Sequence, residues 1–116
     1  MPEKSRSYEM VESLRLGLDR IKSDEGIIGY ILRDAKSASI DIRDPSKIID
    51  YAVLSSAALE SGENVSEVFG LGEVYSVVVE GKDVKVLLIP VGNSRVSVFM
   101  RRDVDHEKVC KELHLK

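Results

Sequence analysis

The chain has 116 residues, a length typical of one domain, and we predict a single domain over residues 1–116. Apolar residues make up 43% and charged residues 32%, which is typical of a globular protein that needs no metal or disulfide to fold. The net charge of −3 weighs against nucleic acid as the main partner, because phosphate binding requires a basic surface.

The sequence also restricts the compartment. Cys110 is the single cysteine, so an internal disulfide is excluded and a reducing compartment is favoured. Residues 1–6 are polar and lack the apolar core of a signal peptide. Because no apolar run approaches the ~18 residues of a membrane-spanning helix, we predict a cytoplasmic protein that does not insert into a membrane.

The first half of the chain predicts two helices and two strands. Apolar residues recur at three- and four-residue spacing over residues 7–23, which predicts an amphipathic helix. Residues 26–32 and 39–42 are typical of strands joined by a turn. Asp44 and Pro45 then suit the N-cap and first position of a middle helix. That helix is predicted to run to about Gly62, with a last turn that could extend to Val68 or Phe69.

The second half predicts three strands and a last helix. Val- and Ile-rich segments at 74–80, 84–89 and 95–100 are separated by short turns, and residues 103–113 form an amphipathic helix. The order α-β-β-α-β-β-β-α, with strands that are apolar on both faces, predicts an α+β fold in three layers. Its centre is a five-stranded antiparallel sheet with helices on both faces.

The middle helix carries the strongest indication of function. Residues 51–59 contain no charged side chain, and their apolar groups cover more than one face of the helix. Ile48, Ala52 and Leu59 share one side, whereas Tyr51, Leu54 and Ala58 point elsewhere. We interpret one side as the contact with the chain's own sheet and the other as a contact with a second molecule.

The third strand supports the same interpretation. Residues 74–79 are uncharged and strongly strand-forming, so on an open sheet edge they would promote aggregation. The strand is therefore either central or covered by a partner strand, and pairing with its own copy would give a homodimer. The residues predicted to form a dimer or partner interface are Tyr51, Leu54, Ser55, Ala58, Leu59, Val77 and Val79.

Catalytic and cofactor motifs are weak. His106, Cys110 and His114 are four residues apart, but the two histidines would lie roughly 12 Å apart along a helix, too far for one metal ion. Residues 70–72 have two glycines, but they follow a helix and precede a strand, the reverse of a dinucleotide-binding loop. Ser55 and Ser56 have no histidine nearby in sequence. We predict no cofactor, no metal and no enzymatic activity.

Several segments in this order resemble the Roadblock/dynein light chain domain family, whose fold is profilin-like. The resemblance covers nearly the whole chain and is strongest from the middle helix to the fifth strand. Residues 52–59 are similar to the family's small-residue helix, 69–73 to its exit turn, 86–92 to its strand ending in Pro-x-Gly, and 26–34 to its first strand. The chain departs from the family at residues 35–37, where a glycine is usual in the first hairpin.

The resemblance implies a homodimer in which the two third strands join the sheets and the two middle helices lie side by side. It also implies a non-catalytic module that binds and regulates a small Ras-like GTPase. Three alternatives stay open: a small-molecule sensor with space beside Gly26 and Gly29, an adaptor or scaffold without a GTPase, and a metal-dependent enzyme using the last helix.

Overall fold

The computed structural model describes residues 2–113, with the side chains of residues 12–113. It confirms the predicted element order and the α+β class. The elements are α1 (Pro2–Ile21), β1 (Ile27–Arg33), β2 (Ala38–Ile42), α2 (Ile48–Phe69), β3 (Val77–Glu80), β4 (Val84–Val91), β5 (Ser94–Arg101) and α3 (His106–Glu112). A short 3-10 turn, Pro45–Lys47, leads into α2.

The five strands form one antiparallel sheet with the order β2-β1-β5-β4-β3. β5 lies at the centre, and β2 and β3 are the two edges. Short turns join β1 to β2, β3 to β4 and β4 to β5, so that these neighbours in sequence are also neighbours in the sheet. The two edges of the sheet are therefore formed by different hairpins, and the candidate site lies beside the β3 edge.

Helices cover both faces of the sheet. α1 and α3 pack on one face, where Leu14, Leu18, Val98 and Met100 belong to the larger buried cluster. α2 packs on the other face over a smaller cluster that includes Ile31, Leu59 and Phe99. The predicted three layers are thus confirmed, with side chains of β5 in both clusters.

The contact between α2 and the sheet is centred on two aromatic rings. Tyr51 and Phe99 are stacked, with ring centroids 4.5 Å apart and an interplanar angle of 12°. Phe99 has no exposed surface. Leu59, about two helical turns after Tyr51, is also buried. These contacts fix which side of α2 faces the protein interior.

Asp44 caps the entry to α2 through the short turn. Its carboxylate accepts hydrogen bonds from the backbone N–H and the hydroxyl of Ser46, at 3.1 Å and 2.7 Å. These hydrogen bonds lower the pKa of the Asp44 carboxyl, because they favour its charged form. The predicted N-cap is confirmed, although it caps the 3-10 turn and α2 begins at Ile48.

The predicted last turn of α2 is confirmed, since the helix continues to Phe69 and Gly70, in the left-handed conformation with φ 62, ends it. The starts of β3 and α3 were predicted too early. β3 begins at Val77 and not at residue 74, because residues 74–76 still belong to the connection from α2 and have no partner on β4. α3 begins at His106, since the Asp105 carboxylate accepts a hydrogen bond from the N–H of Glu107 and acts as its N-cap.

Lys85 is an unexpected member of the interior. Its side chain on β4 is only 5% exposed. The ammonium group donates to the carbonyl of Val104, lies 3.2 Å from Nδ1 of His106 and 3.8 Å from a carboxylate oxygen of Glu80. Lys85 thus connects the start of α3 to the β3–β4 hairpin, and its buried ammonium group has its polar partners within the chain.

Gly29 gives the first stability prediction. A Cβ at this position would lie 2.2 Å from the carbonyl oxygen of Asp41 and 2.7 Å from Cα of Ile42, both backbone atoms of β2. Because backbone cannot yield cheaply, we expect Gly29→Ala to lower the free energy of unfolding by about 1–3 kcal/mol. Urea denaturation measures the change. Gly17→Ala is the control, because its Cβ would lie farther from its neighbours, at 3.1 Å from Cδ2 and 3.3 Å from Cα of Leu113, while alanine favours the helix. An equal loss in both variants would contradict the prediction.

Candidate interaction surface

An open apolar groove of about 800 Å3 lies between the outer side of α2 and the edge strand β3. The connection from α2 to β3 forms its end wall, with Leu71, Val74 and Tyr75. Val77 and Val79 form the β3 side, and Leu54, Ala58 and Val65 are among the residues that form the α2 side. The groove is therefore built by three consecutive segments of the chain.

Large apolar side chains are exposed along this groove. Exposed positions of a monomeric protein usually carry charged or small side chains, because such proteins rarely expose contiguous apolar patches. The exposed fractions are 37% for Leu54, 52% for Val65, 70% for Leu71, 75% for Tyr75 and 37% for Val79. These five side chains define what we call the groove face.

The edge strand itself lacks the features that usually protect a free edge. Residues 77–79 are all valine, and β3 carries no charge before Glu80. The opposite edge, β2, carries Asp41, whose carboxylate accepts a hydrogen bond from Lys22 Nζ at 3.0 Å. Charged side chains on an edge discourage pairing with another strand. β3 is therefore the edge of this sheet that is suited to strand pairing.

The structure separates the seven predicted interface residues into two groups. Leu54, Ala58, Val77 and Val79 line the groove together. The other three lie on the side of α2 that faces its own sheet: Tyr51 stacks on Phe99, Ser55 is 9% exposed and Leu59 is 2% exposed. These three side chains hold α2 against the sheet, and they thereby orient Leu54 and Ala58 towards the groove.

Sequence reasoning missed three residues of the groove face: Val65, Leu71 and Tyr75. Val65 continues the series of Leu54, Ala58 and Ser61 at three- and four-residue spacing, so a helix extended beyond Gly62 would have included it. Leu71 and Tyr75 had no such pattern, because they lie outside regular structure.

One end of the groove is acidic. Every charged residue within α2 is an acid, namely Asp50, Glu60, Glu63 and Glu67. Glu63, Glu67 and Glu73 line a second depression next to the groove, beyond Ser66. A partner that extends past the apolar part of the groove in this direction would gain from basic groups.

The residues considered for a metal are placed differently from a metal site. Within residues 12–113, no group of three or more His, Cys, Asp or Glu side chains lies close enough to hold a metal ion. His106 faces the ammonium of Lys85, and burial raises the pKa of the Cys110 thiol. His114 lies outside the described residues. In the described part of the chain, no helix has the length and apolar character needed to cross a membrane.

The three helices and the five-stranded antiparallel sheet match the fold of a solved Roadblock/LC7 domain. A Roadblock/LC7 domain from Streptomyces avermitilis matches with a TM-score of 0.70 and 18% identity, over 85% of this chain and 87% of that one. The predicted resemblance is thus confirmed at the level of the fold. MglC from Myxococcus xanthus matches with a TM-score of 0.49 and 19% identity, over 88% of this chain and 91% of that one. Neither a family model nor a curated protein matches the sequence.

Proposed function

We propose that this protein is a non-catalytic interaction module that forms a homodimer through the groove face and the β3 edge. The observation that carries the proposal is the groove face, in which five large apolar side chains are exposed next to an uncharged edge strand. Exposed apolar patches of this kind mark interaction sites. The occupant we propose is a second copy of the same chain.

A two-fold arrangement of two chains would cover both the open β3 edge and the apolar groove face. The outward backbone groups of β3 would pair with those of β3 in the second copy, which extends each sheet across the dimer. The same rotation would bring the two α2 helices together over Leu54 and Val65. Tyr75 and Leu71 would then cover the apolar side chains of the opposite copy. The resemblance to Roadblock domains implies the same geometry.

Light scattering on the purified protein over a range of concentrations tests the dimer. We expect a mass of twice 12.9 kDa, falling towards that of one chain only on dilution. A single-chain mass at every concentration would contradict the homodimer. Native mass spectrometry of the same sample distinguishes the sensor alternative, because an apolar ligand in the groove would add a fixed mass to each chain.

The sensor alternative has little support beside the first strand. A Cβ at Gly26 would lie 2.5 Å from the side chain of Val104, and Gly29 is in close contact with β2. The Lys22–Asp41 ion pair and Arg43 occupy the wall of the depression near Gly29. Both glycines therefore allow neighbouring segments to approach, and the groove is the better place to look for a ligand.

For the partner, we propose a small Ras-like GTPase that binds at the start of α2. Ile49 and Val53 are 77% and 64% exposed, and neither lines the groove, so both would stay accessible in the dimer. Asp50 lies between them. The identity of the partner rests on the resemblance to Roadblock domains, and the position rests on this second apolar patch.

Capture of partners by the tagged protein, with a GTP analogue or with GDP, tests this step. We expect a GTPase to be retained in a nucleotide-dependent manner and the double variant Ile49→Ser, Val53→Ser to lose it. Leu16→Ser is the matched control, because Leu16 is 65% exposed on α1, on the other face of the sheet. Equal retention by the double variant would contradict the position. Capture of other proteins without a GTPase would favour the adaptor alternative.

A further inference from the structure

Two arginines face each other at one end of the sheet, on the face covered by α2. Arg33 ends β1 and Arg95 lies on β5, and the register of the two antiparallel strands places them directly opposite each other. Like charges at directly opposite positions destabilise a strand pair. Both arginines are exposed, and a negative charge between their guanidinium groups would offset their repulsion.

The chain does not supply that charge among its described residues. The ion pairs within 4.0 Å are made by Lys22, Lys85 and Arg101, and none is made by Arg33 or Arg95. The neighbouring Asp34 carboxylate accepts hydrogen bonds at 2.8 Å from the backbone N–H groups of Lys36 and Ser37. The chain has 20 acidic residues, yet in its described part none of them forms an ion pair with either arginine.

A small cavity of about 20 Å3 lies between the arginine pair and α2. Ser55, Ser56 and Ser97 line it. Arg33 Nη1 donates to the Ser56 hydroxyl at 3.4 Å, and the Ser55 hydroxyl donates to the carbonyl of Tyr51 at 2.8 Å. Ser97 on β5 is 5% exposed. A serine hydroxyl that lines a cavity can donate a hydrogen bond to an atom that enters it.

The size of the cavity limits what can enter. A space of this volume holds roughly one water-sized atom, so it would take one oxygen of a ligand while the rest stays outside between the arginines. A planar carboxylate can be satisfied by one guanidinium in a bidentate pair. A tetrahedral dianion matches two guanidinium groups and keeps a further oxygen for the serine hydroxyl.

We propose that Arg33, Arg95 and Ser97 form a binding site for a phosphate group, either free inorganic phosphate or the phosphate of a monoester. One phosphate oxygen enters the cavity and accepts from Ser97, and the others accept from the two guanidinium groups. The site shares no lining residue with the groove, so it does not depend on the proposed dimer.

Amide chemical shifts of the full chain, recorded during titration at constant ionic strength, test the proposal. Inorganic phosphate and O-phosphoserine are the two probes, and chloride is the control for screening. We expect saturable shifts at residues 33, 56 and 97 with phosphate but not with chloride. Tighter binding of O-phosphoserine identifies a monoester as the ligand, whereas equal or tighter binding of inorganic phosphate identifies the free ion.

Variants separate a built site from general surface charge. We expect the double variant Arg33→Gln, Arg95→Gln to bind roughly tenfold more weakly or worse, because hydrogen bonds to charged groups are lost. Its melting temperature without phosphate should not fall, since the substitutions remove a like-charge pair. Arg101→Gln is the matched control at the other end of β5, where Arg101 pairs with Asp103 at 3.4 Å. No saturable shift with either probe, or equal binding by the double variant and the control, would overturn the proposal.

Discussion

The variant Val79→Glu is expected to stay a single chain at concentrations where the wild-type protein is a dimer. Val79 lies on the β3 edge and lines the groove, and it is 37% exposed, so a charged side chain can be accommodated in the folded chain. In the dimer the new carboxylate would lie in an apolar contact, close to its copy. Such a placement costs several kcal/mol, which weakens the dimer roughly hundredfold or more. Sedimentation equilibrium measures the change.

The opposite edge of the sheet provides a matched control for this variant. Ile40 on β2 is 44% exposed and is paired with Ile31, on the same face of the sheet as α2. Ile40→Glu therefore introduces the same charge at a similar edge position away from the groove. We expect it to dimerise as the wild type does. If both variants dissociate equally, net charge and not the β3 edge governs assembly.

The variant Phe99→Ala is expected to lose about 3–5 kcal/mol of folding free energy. Phe99 is fully buried on the central strand, and its ring stacks on Tyr51 at 4.5 Å, so truncation leaves a cavity under α2. A domain of this size has roughly 5–15 kcal/mol of total stability. The loss would therefore remove a large share of it, and α2 would lose the contact that orients the groove face.

Urea denaturation measures this loss, and Tyr51→Phe is the control because it keeps the stacked ring. We expect the control to remain close to the wild type. A loss of less than about 1 kcal/mol for Phe99→Ala would be typical of a surface substitution. That result would contradict the placement of Phe99 between β5 and α2.

The element order could be predicted from local patterns because short turns connect most strands. The spacing of apolar residues identified α1, α2 and α3, and the turns at residues 81–83 and 92–94 fixed the antiparallel β3-β4-β5 hairpins. What local patterns could not supply was the start of β3. Val74 and Tyr75 are typical of a strand, but β4 residues 89–91, which would lie opposite residues 74–76, pair only with β5.

The role of Lys85 was also beyond sequence reasoning. A lysine in an otherwise apolar strand is usually interpreted as solvent-exposed. Its partners at Val104 and His106 lie 19 and 21 residues away, on a segment whose approach depends on how α3 packs. Only the tertiary structure shows that the ammonium group is satisfied in the interior.

The candidate site was predicted in part. The uncharged run at residues 51–59 indicated that α2 is covered on two sides, but it did not show which side faces the sheet. The Tyr51–Phe99 stack supplies that reference and assigns Leu54 and Ala58 to the groove. Leu71 and Tyr75 join them only because the connection after Gly70 folds back beside β3.

Hydrogen exchange of the β3 backbone amides, followed by NMR at low and high protein concentration, tests the proposed dimer most directly. The amides of residues 77–80 that do not bond to β4 should exchange slowly at high concentration and quickly on dilution. Outward amides of β2, the other edge, should exchange quickly at both concentrations. If the two edges exchange alike at every concentration, β3 is not paired with a second copy, and the homodimer through this edge is contradicted.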